Sequence, residues 1–168
     1  QVAKETITQL LEMTRDRAAA RARFDLAALA AEVVDAVPRP PDVGVVVAVT
    51  PGLSLDAERS LLSRALANLV ANAVAAIGPE RPGRVTIEGR EDGDEVLVAV
   101  ADDGPGFDPE ILPRGFEPLV TGRPDGIGLG LALVRNVCER HDARVSAENP
   151  PGGGGRVTMR FGRGEGSR

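Results

Sequence analysis

The stretch from Asp56 to Ile77 constrains this chain more than any other. Leu61, Leu62, Ala65, Leu66, Leu69, Val70, Ala73, Val74 and Ile77 recur at the spacing of one helical face. A helix with so continuous an apolar stripe has to lie against a core. That core must be aliphatic, because 168 residues contain four Phe and no Trp or Tyr. With 42% hydrophobic and 27% charged residues the balance is globular, and the length suits one domain with a short appendage.

Around this helix the remaining elements fall into place. Ile7, Leu10, Leu11, Thr14 and Ala18 predict a helix over 3–22, charged in its second half. Phe24-Asp25-Leu26 breaks it, and Asp25 is placed to cap a second helix. That helix runs to about Val37, with Leu26, Leu29, Ala30, Val33 and Val37 on one face, until Pro38, Pro40 and Pro41 end it. Val43 to Thr50 reads as a strand closing on the turn Pro51-Gly52. Arg84–Arg90 and Glu95–Asp102 alternate as strands and are joined as a hairpin through Glu91 to Asp94.

From Gly104 to Gly130 the chain is rich in Gly and Pro and has no period, which in a compact domain marks a functional loop. A further helix is expected from about Leu129 to Asp142. Two strands follow, Arg144–Glu148 and Arg156–Phe161, separated by a Gly-Pro turn over Asn149 to Gly155. The tail 163–168 reads as disordered. This order predicts an α+β two-layer sandwich, a mixed β-sheet with helices packed on one face, preceded by a helical segment.

The formal charge of −5 argues against a nucleic-acid partner, whose phosphates need a clustered basic face. A nucleotide is a different matter, since backbone amides, a metal ion and one or two basic side chains suffice to hold it. The single cysteine, Cys138, excludes an internal disulfide and fits a reducing, cytoplasmic setting. No stretch approaches the roughly 18 apolar residues of a membrane span. Because the chain starts at Gln1 rather than Met, it is expected to be a piece of a longer protein, whose membrane anchor, if it has one, lies elsewhere.

Three segments carry candidate chemistry. Asn68 and Asn72 are four residues apart on the long helix and share a face at the edge of its apolar stripe. Amides so placed need partners, and a hard cation accepts their carbonyl oxygens; taken alone, the pair is equally compatible with surface or capping asparagines. Asp102-Asp103-Gly104-Pro105-Gly106 ends a strand with a carboxylate able to accept a hydrogen bond from an exocyclic amine, and its glycines let the backbone approach a flat base. By itself it is also a plain Asp-Gly turn. Gly126-Ile127-Gly128-Leu129-Gly130-Leu131 feeds a glycine-spaced turn into a helix whose first free amides attract phosphate. A dinucleotide fingerprint is excluded there, because a loop and not a strand precedes it.

In this order and context the three segments resemble the catalytic domain of histidine kinases, within the ATPase group that includes gyrase B and MutL. The resemblance covers about residues 54–161, and Phe24–Val37 resembles that domain's first helix. Asn68 and Asn72 match the asparagine motif, Asp102, Gly104 and Gly106 the first glycine motif, and Gly126, Gly128 and Gly130 the second. Gly115-Phe116-Glu117-Pro118-Leu119-Val120-Thr121 resembles the phenylalanine motif of the lid over ATP. The resemblance implies ATP and Mg²⁺ as ligands. Asn72 would hold the metal, supported by Asn68, and Asp102 would contact the adenine amine. The amides around Gly128, Leu129, Gly130 and Leu131 would cradle phosphates, with Thr121 and Arg123 contributing from the lid, which is expected to be mobile without nucleotide.

Gyrase B-like relatives place a water-activating glutamate where this chain has Asn68, so the resemblance implies phosphoryl transfer rather than hydrolysis. The acceptor would be a histidine on a helical hairpin outside the sequence, with residues 1–23 the end of that hairpin's second helix, 24–162 the catalytic domain, and a homodimer and a response regulator as further partners. There are departures. Leu119 replaces a common phenylalanine, Ala75 stands where some relatives carry lysine, and Asp142-Ala143 replaces a glycine pair after His141. His141, the only histidine, reads as structural or capping, since with Cys138 it makes only an incomplete two-ligand metal site. Two other readings are a degenerate nucleotide-binding or interaction module, for which Ala75 speaks, and a serine kinase of the anti-sigma type.

Overall fold

The computed structural model describes residues 20–122 and 128–163. The predicted helix over 3–22 therefore lies almost wholly outside the described residues, as do Arg123, Gly126, Ile127 and most of the tail. At its near end that expectation is corrected. Ala22–Asp25 forms a strand, β1, paired antiparallel with β3, Ser54–Ala57, with Phe24 opposite Leu55. Neither four-residue strand was expected, and Asp56, read as the start of the long helix, belongs to β3.

Asp25 ends β1 and caps α1, Leu26–Ala36, its Oδ1 accepting from the Ala28 N–H at 2.8 Å. Leu26, Leu29, Ala30 and Val33 are buried from α1, as the spacing predicts. β2, Val43–Val49, follows the proline break. The long helix α2 spans Arg59–Ile77 and buries Leu62, Ala65, Leu66, Leu69, Val70, Ala73, Val74 and Ile77. By length and hydropathy it would suit a membrane span, contrary to the reading above, but this stripe is the domain's core. Gly78 stops it at φ 80°.

β4, Gly83–Asp92, and β5, Glu95–Asp102, form the expected hairpin. Helix α3, Gly130–Arg140, is shorter than expected at both ends and is followed by β6, Arg144–Glu148, and β7, Arg156–Gly162. Asp142 adopts φ 52°, the left-handed conformation for which a glycine is the usual residue.

The main sheet has the order β2-β4-β5-β7-β6, with β2 and β4 parallel and the other pairs antiparallel. It is the mixed sheet expected. Val85, Ile87, Val96, Val98, Val100, Val157, Met159 and Phe161 alternate onto one face and form one aliphatic core with the helices. The other face carries ion pairs in place of a second helix layer. Arg156 reaches across β5 to Glu88 with two bonds of 2.9 and 2.5 Å, and Arg160 meets Asp92 at 2.7 Å. Ala99 stays small on that face and is buried beneath these arms, whose aliphatic stems take over the covering.

Candidate active site

The sheet and helices bring the sequence-expected groups to one end of α2. Asn68 and Asn72 face the start of α3. A Cβ built on Gly130 would stand 3.0 Å from Asn72 Nδ2, 3.4 Å from Asn68 Oδ1 and 3.5 Å from Asn72 Oδ1. Gly130 therefore lets the first turn of α3 lie directly over the amide pair. Asn68 Nδ2 donates to the Arg64 carbonyl at 3.0 Å, which turns its Oδ1 outward. No side chain caps the start of α3, and its first turn holds no acidic residue. Among the described residues nothing caps its first amides, which suit an anion.

Asp102 closes the other side. Its Oδ1 accepts from Gly104 N at 2.8 Å and Gly155 N at 3.4 Å, so Oδ2 is the oxygen left for a ligand. Burial pushes its carboxyl above the ordinary carboxylate value, and the Gly104 and Gly155 amides partly offset this. Between Asp102 and Asn72 lies an open cleft, lined by Ala73, Ala76, Phe107 and Leu131 among others. Apolar walls with one convergent carboxylate suit a flat base bearing an amine.

Gly104 and Gly106 are required by close approach. A Cβ on Gly104 would come within 3.2 Å of the Ala76 backbone. Gly106 has φ 83°, and its Cβ would meet Asn149 Oδ1 at 2.8 Å. Two residues that sequence reasoning missed complete this wall. The Asn149 amide accepts from Phe107 N at 2.7 Å and donates to Phe107 O at 2.8 Å, clamping the turn after Asp102. Gly154, at φ 79°, lies so close that a Cβ would be 1.7 Å from the Asp102 carbonyl. The available signal was the run Gly152 to Gly155, longer than a simple turn needs.

The described part of the lid segment is irregular apart from a 3₁₀ turn at Leu112–Arg114, started by Asp108 and supported by an Arg114–Glu117 pair at 3.0 Å. It is anchored at its far end by Gly128. At φ 74° a Cβ there would sit 2.6 Å from Val120 O, and Leu119 N donates to Gly128 O at 2.9 Å. Gly128 thus joins lid to loop, a packing task the sequence did not disclose. Thr121 adjoins Gly122, which faces Ile111 and Asp108 rather than the asparagines. Arg123 and Gly126 lie outside the described residues. Leu129 is buried, and Leu131 lines the cleft. Ala75 is exposed beside the site. Cys138 is buried, its thiol pushed up to about 12, mainly by burial.

Comparisons with known proteins identify the family. The model for the histidine kinase-, DNA gyrase B- and HSP90-like ATPases matches residues 57–165. The chain belongs to that family. Within it, the chain is similar to the sensor histidine kinase ZraS of Klebsiella oxytoca, 43% identical over 106 residues, 62% of this chain but 22% of that protein. It therefore spans less than a quarter of the length of such relatives. Full-length ShkA, solved in complex with AMPPNP, matches with a TM-score of 0.74 at 28% identity over 94% of this chain and 35% of that one. The ATP-binding domain of PrrB from Mycobacterium tuberculosis matches with a TM-score of 0.71 at 26% identity over 88% of this chain and all of that one.

The donor set of this histidine kinase-like ATPase domain can be tested against magnesium. Among the described residues no group of three or more His, Cys, Asp or Glu side chains is gathered to hold a metal. The two amide oxygens beside Gly130 are hard donors, as Mg²⁺ requires. They fit an ion that draws most of its other ligands from phosphate and water, and they do not fit one held by protein alone.

Proposed function

We propose that the chain is the ATP-binding catalytic domain of a two-component sensor histidine kinase, and that it passes the γ-phosphoryl of Mg-ATP to a histidine outside these residues. The observation that carries this reading is the placement of Gly130 over Asn68 and Asn72, at the end of the cleft away from Asp102. Adenine would lie between Ala73, Ala76 and Phe107 with its amine on Asp102 Oδ2. The phosphates would extend to the first amides of α3. Asn72 would hold the metal and Asn68 support it, while Thr121, Arg123 and Gly126 would act from the lid. Magnesium, when bound, supplies neutralisation of phosphate charge. The residues themselves orient the nucleotide and exclude water.

The amide of Asn68 cannot serve as a general base, which favours transfer over hydrolysis. Residues 1–23 would be the end of the hairpin that carries the acceptor in a homodimer, and 24–162 the catalytic unit. A response regulator would receive the phosphoryl group on the cytoplasmic side. The test is to incubate the chain with γ-labelled ATP, with and without a separately supplied acceptor hairpin. Label on the hairpin's histidine, and none on the chain alone, is the expected result. Label on a serine of a partner, or stable phosphohistidine on the chain by itself, overturns the reading, and no transfer despite nucleotide binding would mark a degenerate module.

A further inference from the structure

The one histidine is buried at the opposite end of the two helices that make the site. His141 is 6% exposed and caps α3, and Glu58, 7% exposed, precedes α2. The Glu58 backbone N–H donates to His141 Nε2 at 2.9 Å, while His141 Nδ1 lies 2.7 Å from the Val137 carbonyl. An amide can only donate and a carbonyl can only accept, so the ring carries its proton on Nδ1 and accepts at Nε2. Phe161 braces the ring edge-on, with centroids 6.1 Å apart. Around it, Arg140 pairs with Glu58 at 3.5 Å, and Arg21, just ahead of β1, donates to the Arg140 carbonyl at 3.1 Å.

Helix α2 leads from this junction into the site and α3 leads back to it. The imidazole thus ties the last turn of one to the first residue of the other, about 15 Å of helix rise from Asn68. An apolar side chain of equal size would fill the space but leave the Glu58 N–H unpaired and the two helices without this fixed register. At the far end the tolerance is small: the Cβ position of Gly130 is already 3.0 Å from Asn72. Resting on the nucleotide-site reading above, we propose that His141 is a positioning residue, holding the Gly130–Leu131 turn in register with Asn68 and Asn72 and so setting affinity for the phosphates but not for the base.

Two variants separate the cross-helix tie from local capping. In His141→Gln the amide oxygen takes the place of Nε2 toward Glu58, whereas in His141→Asn the amide reaches only the Val137 carbonyl. Binding of Mg-ADP and of adenosine is measured for each. The expected result is that H141Q stays within about twofold of wild type for Mg-ADP, that H141N weakens it about five- to tenfold, the worth of one such bond, and that adenosine binding is unchanged throughout. Equal Mg-ADP affinity in H141N and wild type overturns the inference, as does a parallel loss of adenosine, the mark of general destabilisation. The wild-type chain gives a reading independent of whether H141N folds: Mg-ADP, but not adenosine, is expected to shift the Glu58 amide resonance, and an unmoved Glu58 amide also refutes the tie. A wild-type chain that binds neither ligand refutes the site reading, and this inference with it.

Discussion

On the proposed reading, the base end and the phosphate end of the cleft are built by opposite means. At the base end, Asp102 is fixed by its own strand, by Gly104, by Gly155 and by a glycine turn that touches its carbonyl, and Asn149 clamps the next turn with both amide groups. At the phosphate end, the asparagines and the start of α3 are held by helix packing, but the described part of the neighbouring lid consists of short turns. Leu119 there is 68% exposed at φ 66°, a strained backbone. On that reading the base end is preorganised before ligand arrives, while the phosphate end depends on how the helices and the lid are set. Adenosine and Mg-nucleotide should therefore report on different residues.

The largest effect is expected from Gly154→Val. The added side chain must displace the Asp102 backbone, which costs about 3 kcal/mol or more, read as the denaturant midpoint, and adenosine binding is lost. Wild-type stability in that variant would show the base end to be less rigid than described. Next comes Asp102→Asn, which should weaken adenosine and Mg-ADP alike by roughly 10- to 100-fold, the range for a hydrogen bond to a charged group. The unfolding midpoint at neutral pH should stay at or above that of wild type.

The pH dependence of Asp102 follows from the sign of its shift. Burial raises its value above the ordinary 3.8, so its contribution to stability is full below that value and is lost as pH rises through the raised one. Ligand binding runs the other way, because it needs the carboxylate as acceptor. Wild-type adenosine affinity should fall on acidification as the Asp102 carboxyl takes up its proton, and the D102N profile should be flat over that window.

Asn72→Ala sharpens the contrast from the other end. It should reduce Mg-ADP affinity about tenfold, roughly one charge-assisted contact, and leave adenosine binding intact, as a metal titration would show. Equal losses for both ligands would erase the distinction between the two ends. The smallest effect is expected from Leu119→Gly. Relief of the left-handed strain should stabilise the domain by about 0.5–1 kcal/mol in thermal unfolding without changing adenosine binding.

What could be read from the sequence was whatever has a short period or a local motif. The α2 stripe, the Asp25 cap, the β4–β5 hairpin and the groups Asn68, Asn72, Asp102 and Gly130 all signal over a few residues. β1 and β3 did not, because four residues cannot establish an alternation and Asp56 passes equally for a helix start. Gly154 and Asn149 were hidden for another reason. Their partners, Asp102 and Phe107, lie more than forty residues away, and a glycine run shows freedom of the backbone without showing what approaches it. The His141–Glu58 bond spans 83 residues, so a capping role was legible but its partner was not.

The claim on which the rest depends is that Asn72, Asp102 and the start of α3 surround one ligand. Amide resonances recorded during titration with Mg-ADP test it directly. The account predicts that Asn68, Asn72, Asp102, Gly104, Gly130 and Leu131 shift together along one saturable curve, with adenosine alone reproducing the Asp102 and Gly104 changes and leaving Asn68 in place. Shifts elsewhere with these residues left unmoved, or none at saturating nucleotide, would contradict it.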